Sequence, residues 1–274
     1  MSGVGDHIRA ARGDRAVVFL HGIGAGAEMF QPQIEGLGAG FDAIGWNLPG
    51  YGGTPLVDPM TFEALSAALL GFLDRLDLRR VTLLGHSIGG MVAQDFIARH
   101  PERVEALVLS ATVPAFGSRD GSFQTRFVAE RLAPLDEGRT IPELARAFVP
   151  DLVGSASDPA AVPLATQAMA RVPEATYRAA IRCLATFDGR ETLARIAVPT
   201  LVVAGSQDRN GPAPTMRKMA EKIAGARYAE LEGIGHLAPL ECPQAYTALL
   251  RDFLSGTAHS APAHPANDRQ GASS

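Results

Sequence analysis

Three side chains in this sequence have the types, order and local setting of an acyl-transfer site: Ser87, Asp208 and His236. Ser87 is the centre of Gly85-His86-Ser87-Ile88-Gly89, which ends the apolar run Val81-Thr82-Leu83-Leu84 and opens Ile88 to Arg99, a stretch with helical alternation. A serine hydroxyl is a poor nucleophile until it is lifted out of the chain and set beside a base. A sharp strand-to-helix turn lifts it, and glycines two residues to either side let neighbouring backbone approach without a Cβ clash. Because the chain carries 29 glycines, the bare Gly-x-Ser-x-Gly pattern says little alone. Its companions carry the inference.

Asp208 lies in the loop after the apolar run Thr200-Leu201-Val202-Val203-Ala204-Gly205, and His236 follows the strand-like segment Arg227 to Leu231 through Glu232-Gly233-Ile234-Gly235. Of the seven histidines, His236 alone follows a final strand and a Gly-x-Gly loop. The loop after the run preceding Asp208's strand, Ser110-Ala111-Thr112, offers no competing acid. Ser87, Asp208 and His236 thus all stand after the carboxyl ends of expected strands, where open α/β sheets place their sites. The order serine, acid, histidine is the one found when the nucleophile sits on such an elbow. The loop His21-Gly22-Ile23-Gly24-Ala25-Gly26-Ala27 could be read as a dinucleotide fingerprint. That reading needs an acid closing the next strand, and Phe41 to Trp46 ends instead in Asn47-Leu48-Pro49-Gly50. The competing reading is an oxyanion loop, whose glycines expose backbone N–H groups to developing negative charge.

These residues need a parallel sheet beneath them. Ala16 to Leu20, Phe41 to Trp46, Val81 to Leu84, Val104 to Leu109, Thr200 to Gly205 and Arg227 to Leu231 alternate with helical stretches, the pattern of a mostly parallel sheet with helices on both faces. The face Phe62, Leu65, Leu69, Phe72, Leu73, Leu76, with Thr61 as N-cap, is one such helix. Between Pro114 and Asp188 the alternation fails. Helical pieces, Phe123 to Leu132, Ile141 to Phe148 and Ala160 to Met169, are punctuated by prolines, so the stretch reads as a helical insertion. Its arginines are matched about one for one by carboxylates, so charge counting there says nothing about the substrate. The expected organisation is an N-terminal segment 1–15 with room for one short strand, a core of 16–113 and 189–256, a helical cap 114–188, and a disordered tail 257–274 without periodicity.

At 46% hydrophobic residues the chain can bury a full core, while a net charge of −4 gives no electrostatic reason to expect nucleic acid or an anionic membrane surface. Cys183 and Cys242 stand in unrelated segments and read as buried thiols, not a disulfide framework or metal cluster. With no apolar leader at the N-terminus and no run of spanning length, the expectation is a soluble cytoplasmic protein without metal or cofactor. Oligomeric state is not readable.

Together, His21-Gly22, Gly85-His86-Ser87-Ile88-Gly89-Gly90, Pro199 to Asp208 and Gly235-His236 resemble the α/β-hydrolase superfamily over about residues 16 to 254. Within it, Tyr177-Arg178-Ala179-Ala180 and Phe187-Asp188 look most like the 3-oxoadipate enol-lactonase and small carboxylesterase group. The resemblance implies an α/β-hydrolase fold and specific roles. Ser87 would attack an acyl carbon, His236 would shuttle its proton, and Asp208 would orient the imidazole. Backbone N–H groups of Ile23 and Ile88 would bind the oxyanion. His21, Gly22, His86, Phe127 and Phe148 are the candidates for the substrate pocket, under a cap that sets substrate size. The implied substrate is a small ester or lactone. Carbon–carbon bond hydrolysis, cofactor-free perhydrolase chemistry and a non-catalytic ligand receptor are the alternatives. Ser87 excludes the dehalogenases and epoxide hydrolases of this fold, which need a carboxylate nucleophile.

Overall fold

The computed structural model describes residues 6–10, 13–118 and 120–257. In chain order the first half contains β1 (His7–Ala10), β2 (Arg15–Leu20), α1 (Gln31–Leu37), β3 (Phe41–Trp46), α2 (Phe62–Arg75), β4 (Val81–His86), α3 (Ile88–Arg99) and β5 (Val104–Ser110). Four helices follow without a strand: α4 (Ser122–Asp136), α5 (Ile141–Phe148), α6 (Ala161–Ala170) and α7 (Glu174–Leu184). The chain then returns to the sheet with β6 (Thr200–Gly205), α8 (Ala213–Glu221), β7 (Arg227–Leu231), α9 (Ala238–Glu241) and α10 (Pro243–Thr257).

Among the described residues the seven strands form one sheet in the order β1-β3-β2-β4-β5-β6-β7. Every pairing is parallel except β1 against β3, so the short N-terminal strand is an antiparallel edge. The central strands β4, β5 and β6 are almost wholly buried, as continuous apolar runs covered on both faces must be. On one face α2 lays Phe72 flat against Trp46 of β3, with ring centroids 5.5 Å apart. Thr61 starts that helix by accepting the Ala64 N–H at 3.1 Å, which satisfies an otherwise orphaned donor.

Parallel strands all end at the same rim. The chain therefore leaves β2, β4, β6 and β7 there, into the loops that carry Gly22, Ser87, Asp208 and His236. The helices α4 to α7 join the rim through a narrow neck. Phe116 N–H donates to Phe187 O at 2.9 Å and Gly189 N–H to Pro114 O at 2.8 Å, beside an antiparallel bridge of Ala115 with Asp188.

Two boundaries differ from the sequence reading. The helix α7 went unassigned because Tyr177, Arg178 and Arg182 break an apolar stripe read along the chain, although its buried residues recur at helical spacing. Thr257, assigned to the tail, closes α10 instead: Arg15 donates to Leu254 O at 2.7 Å and to the Thr257 hydroxyl at 2.6 Å, tying the helix end to β2. The rest of the expected tail, 258–274, lies outside the described residues. No helix of the described residues is long and apolar enough to cross a membrane.

Candidate active site

Ser87 is held at φ 56° and ψ −121°, a left-handed conformation that a serine adopts only under constraint. The constraints are local. Ser87 N–H donates to Ser110 O at 3.0 Å, Thr112 Oγ1 donates to Ser87 O at 2.8 Å, and the Ser87 carbonyl also takes the N–H groups of Gly90 and Met91 that open α3. The flanking glycines are obligatory. A Cβ on Gly85 would lie 2.4 Å from Gly89 O, and one on Gly89 would lie 2.2 Å from Leu20 O. Strand β4, helix α3 and the end of β2 therefore meet backbone to backbone, and the serine is the side chain left projecting at the crossing.

His236 Nδ1 donates to Asp208 Oδ2 at 2.9 Å, with the carboxylate fully buried and the imidazole nearly so. Asp208 Oδ1 is occupied separately by the N–H groups of Asn210 at 2.8 Å and Gly211 at 3.0 Å. Burial pushes this carboxyl toward protonation, but the charge and hydrogen bond of His236 and the two N–H groups outweigh burial and hold it below its ordinary value. It is an anion with one lone-pair direction reserved for the imidazole. That bond fixes the tautomer: the proton sits on Nδ1, and Nε2 is the basic nitrogen. Ser87 and His236 line the same cavity, of about 510 Å³, and no hydrogen bond joins the Ser87 hydroxyl to the imidazole. Such bonds commonly tighten only when substrate is bound.

The loop after β2 is pinned from below. His21 Nδ1 donates to Gly22 O at 2.8 Å, His21 Nε2 accepts the Leu48 N–H at 3.1 Å, and Tyr51 donates to Ile23 O at 3.0 Å. With both carbonyls engaged beneath, neither the Ile23 nor the Ile88 N–H donates a hydrogen bond within the described residues.

A family model described as "alpha/beta hydrolase fold" matches residues 15–243. The chain belongs to the α/β-hydrolase fold family. This α/β hydrolase is 29% identical over 269 residues to a pimeloyl-[acyl-carrier protein] methyl ester esterase of Neisseria meningitidis serogroup B, covering 88% of this chain and 93% of the relative. It is 26% identical over 235 residues to 3-oxoadipate enol-lactonase 2 of Acinetobacter baylyi, covering 84% of this chain and 85% of the relative. Among solved structures, a thermophilic esterase from Thermogutta terrifontis superposes with a TM-score of 0.83 at 27% identity, covering 92% of this chain and 93% of that one.

Of the pocket candidates, Gly22, His86, Phe127 and Phe148 line the α/β hydrolase's cavity, as does Ile23. His21 does not. It is fully buried beneath the loop, because both of its ring nitrogens are used to hold backbone. His86 reaches the cavity with only 1% exposure; its Nδ1 lies 3.4 Å from Ser110 Oγ and its Nε2 has no hydrogen-bond partner among the described residues. Glu241, which no sequence motif marks, holds the loop that carries His236. Its Oε2 accepts the N–H groups of Gly154 at 2.7 Å and Gly235 at 2.8 Å, and its Oε1 accepts that of Leu237 at 2.7 Å, so it brackets His236 on both sides. The available signal was an acid five residues beyond the histidine, on the short helix α9. Arg131 and Tyr177 also face the cavity from α4 and α7; no motif marks Arg131, and Tyr177 enters the sequence reading only within Tyr177-Arg178-Ala179-Ala180, with no site role attached.

Proposed function

We propose that this chain is a serine hydrolase that cleaves a small carboxylic ester or lactone through an acyl-enzyme. Ser87 Oγ attacks the carbonyl carbon while His236 Nε2 takes its proton, and the same imidazole returns that proton to the departing alkoxide. The buried Asp208 carboxylate holds the ring in place and offsets the positive charge it acquires. Water then repeats the sequence on the acyl-enzyme and frees the acid. The tetrahedral oxyanion sits between the Ile23 and Ile88 N–H groups, each worth about 3 kcal/mol to the barrier. A sharp acyl-side electrostatic clamp of this kind requires no metal or cofactor, and the proposal includes neither.

The observation that carries this reading is the 2.9 Å bond from His236 Nδ1 to buried Asp208, above a cavity floored by a serine on a left-handed turn. Relatives named as a methyl ester esterase and an enol-lactonase support the reaction class. The test is hydrolysis of p-nitrophenyl butyrate by Ser87→Ala. We expect kcat to fall by about 10⁴-fold or more, and treatment of the wild type with a fluorophosphonate to add one mass increment to the peptide containing Ser87. Activity in the variant near the wild-type level would remove Ser87 as nucleophile.

A further inference from the structure

Arg131 is the one cation on the cavity wall that has no acidic partner among the described residues. The other, Arg171, is tied to Glu28 at 3.0 Å, and Glu28 is the wall's single carboxylate. Arg131 makes neither an ion pair nor a hydrogen bond to any described residue. Its guanidinium instead lies on the Phe148 ring, 3.7 Å from the centroid, with Phe127 one turn back on α4 at 5.5 Å. Two aromatic faces hold the plane of the fork and leave its N–H edge unused. Tyr177 stands close enough for its phenol to feel the Arg131 charge, and its hydroxyl likewise has no acceptor among the described residues. Burial disfavours the charge on Arg131, yet the cation persists without a counter-ion. A desolvated, preoriented guanidinium beside a free phenol is a receptor for an anion.

The cavity that Arg131 and Tyr177 share with Ser87 is otherwise largely apolar, its wall including Val113, Met169, Ile181 and Leu184. We propose that Arg131 and Tyr177 form an anion subsite in the helical insertion, and that the preferred substrate carries a carboxylate separated from the scissile carbonyl by an apolar stretch. One unpaired positive charge matches one negative charge. A planar carboxylate fits the guanidinium fork and leaves one oxygen direction for Tyr177, whereas a phosphate dianion would bring a second charge with no partner on this wall. The inference rests on the ester or lactone hydrolysis proposed above and adds the substrate class.

Two matched pairs test it: monomethyl adipate against methyl hexanoate, with the carboxylate on the acyl side, and 5-acetoxypentanoate against pentyl acetate, with it on the alcohol side. In at least one pair the wild type should favour the anion by about tenfold in kcat/KM. In Arg131→Gln that anion-to-neutral ratio should collapse toward one through KM, and Arg131→Lys should restore part of it. Equal kcat/KM within both pairs for the wild type, or an unchanged ratio in Arg131→Gln, would overturn the subsite. If the Gln variant does not fold, the wild-type ratios and competitive inhibition by adipate, but not by adipamide, decide the matter. Hydrolysis of the neutral esters that survived in Ser87→Ala would instead overturn the reaction proposed above, so the two failures are distinguishable.

Discussion

His21 and His86 are almost wholly buried as neutral imidazoles, and charging them is expensive. A free imidazole ionises near 6.5; burial above all brings His21 down to about 4 and His86 to about 3, the latter also repelled by its neighbour His236. Between those values and 6.5 the unfolded chain binds protons that the folded chain does not, so stability is full above pH 6.5 and falls as pH drops toward 4. Each group contributes a loss of about 2 kcal/mol at pH 5. The expected outcome is that His86→Asn loses about 2 kcal/mol less than the wild type between pH 7 and pH 5, measured by guanidinium unfolding. Parallel losses would mean that His86 is not held neutral. At the same scale, what makes Ser87 different from any other serine is its backbone: the φ of 56° aims the hydroxyl away from both β4 and α3.

The elements set which glycines serve the fold and which serve the site. A Cβ on Gly89 would meet the carbonyls of Leu20, the last residue of β2, and His21, just beyond it, at 2.2 and 2.8 Å, so Gly89→Ala must push α3 off β2. A Cβ on Gly22 would meet His86 Cδ2 and Ser87 Cβ at 3.4 Å, ordinary contact, and stand 3.8 Å from Ser87 Oγ. We therefore expect Gly89→Ala to cost about 3 kcal/mol or more in stability. Gly22→Ala should melt within a few degrees of the wild type and lose about tenfold in kcat/KM, by crowding the path to the hydroxyl. Calorimetry and ester kinetics on the two variants separate these effects. If both variants lost stability alike, the loop after β2 would be part of the packed frame and not a free rim.

For the whole molecule, the histidine loop and the segment of the helical insertion between α5 and α6 are one unit. His236 N–H donates to Leu152 O at 2.6 Å, Ala156 N–H to Gly233 O at 2.9 Å, and Glu241 takes N–H groups from both Gly154 and the loop. The insertion cannot lift away here without disturbing the base. Hydrogen exchange should show the amides of Gly154, Ala156 and His236 opening with one common free energy, and Glu241→Ala should lower it for all three by about 2 kcal/mol or more while reducing kcat. Independent exchange at the three amides would show that the insertion moves without the loop. The same stitching explains why Glu241 stands at a place where it has no basic partner among the described residues: three converging N–H groups take that role.

Local chemistry made much of this protein legible before any coordinates. Apolar runs of strand length, a glycine-flanked serine, and an acid and a histidine after later runs are written in neighbouring residues, so the parallel sheet, its order of strands along the chain and the positions of Ser87, Asp208 and His236 follow from them. What the chain cannot express locally is pairing between distant segments. The arginines and carboxylates between Pro114 and Asp188 balance in number, yet Arg178 finds Asp136 and Glu174 while Arg131 is left on Phe148 without an acid. Likewise His21 has the spacing of a rim residue but spends one nitrogen on the neighbouring Gly22 carbonyl and the other on the Leu48 N–H brought from the loop after β3. Residue type and periodicity act over a few positions. Which charge stays unneutralised, and which imidazole is buried, depends on segments tens of residues apart being brought together, and only the folded chain decides that.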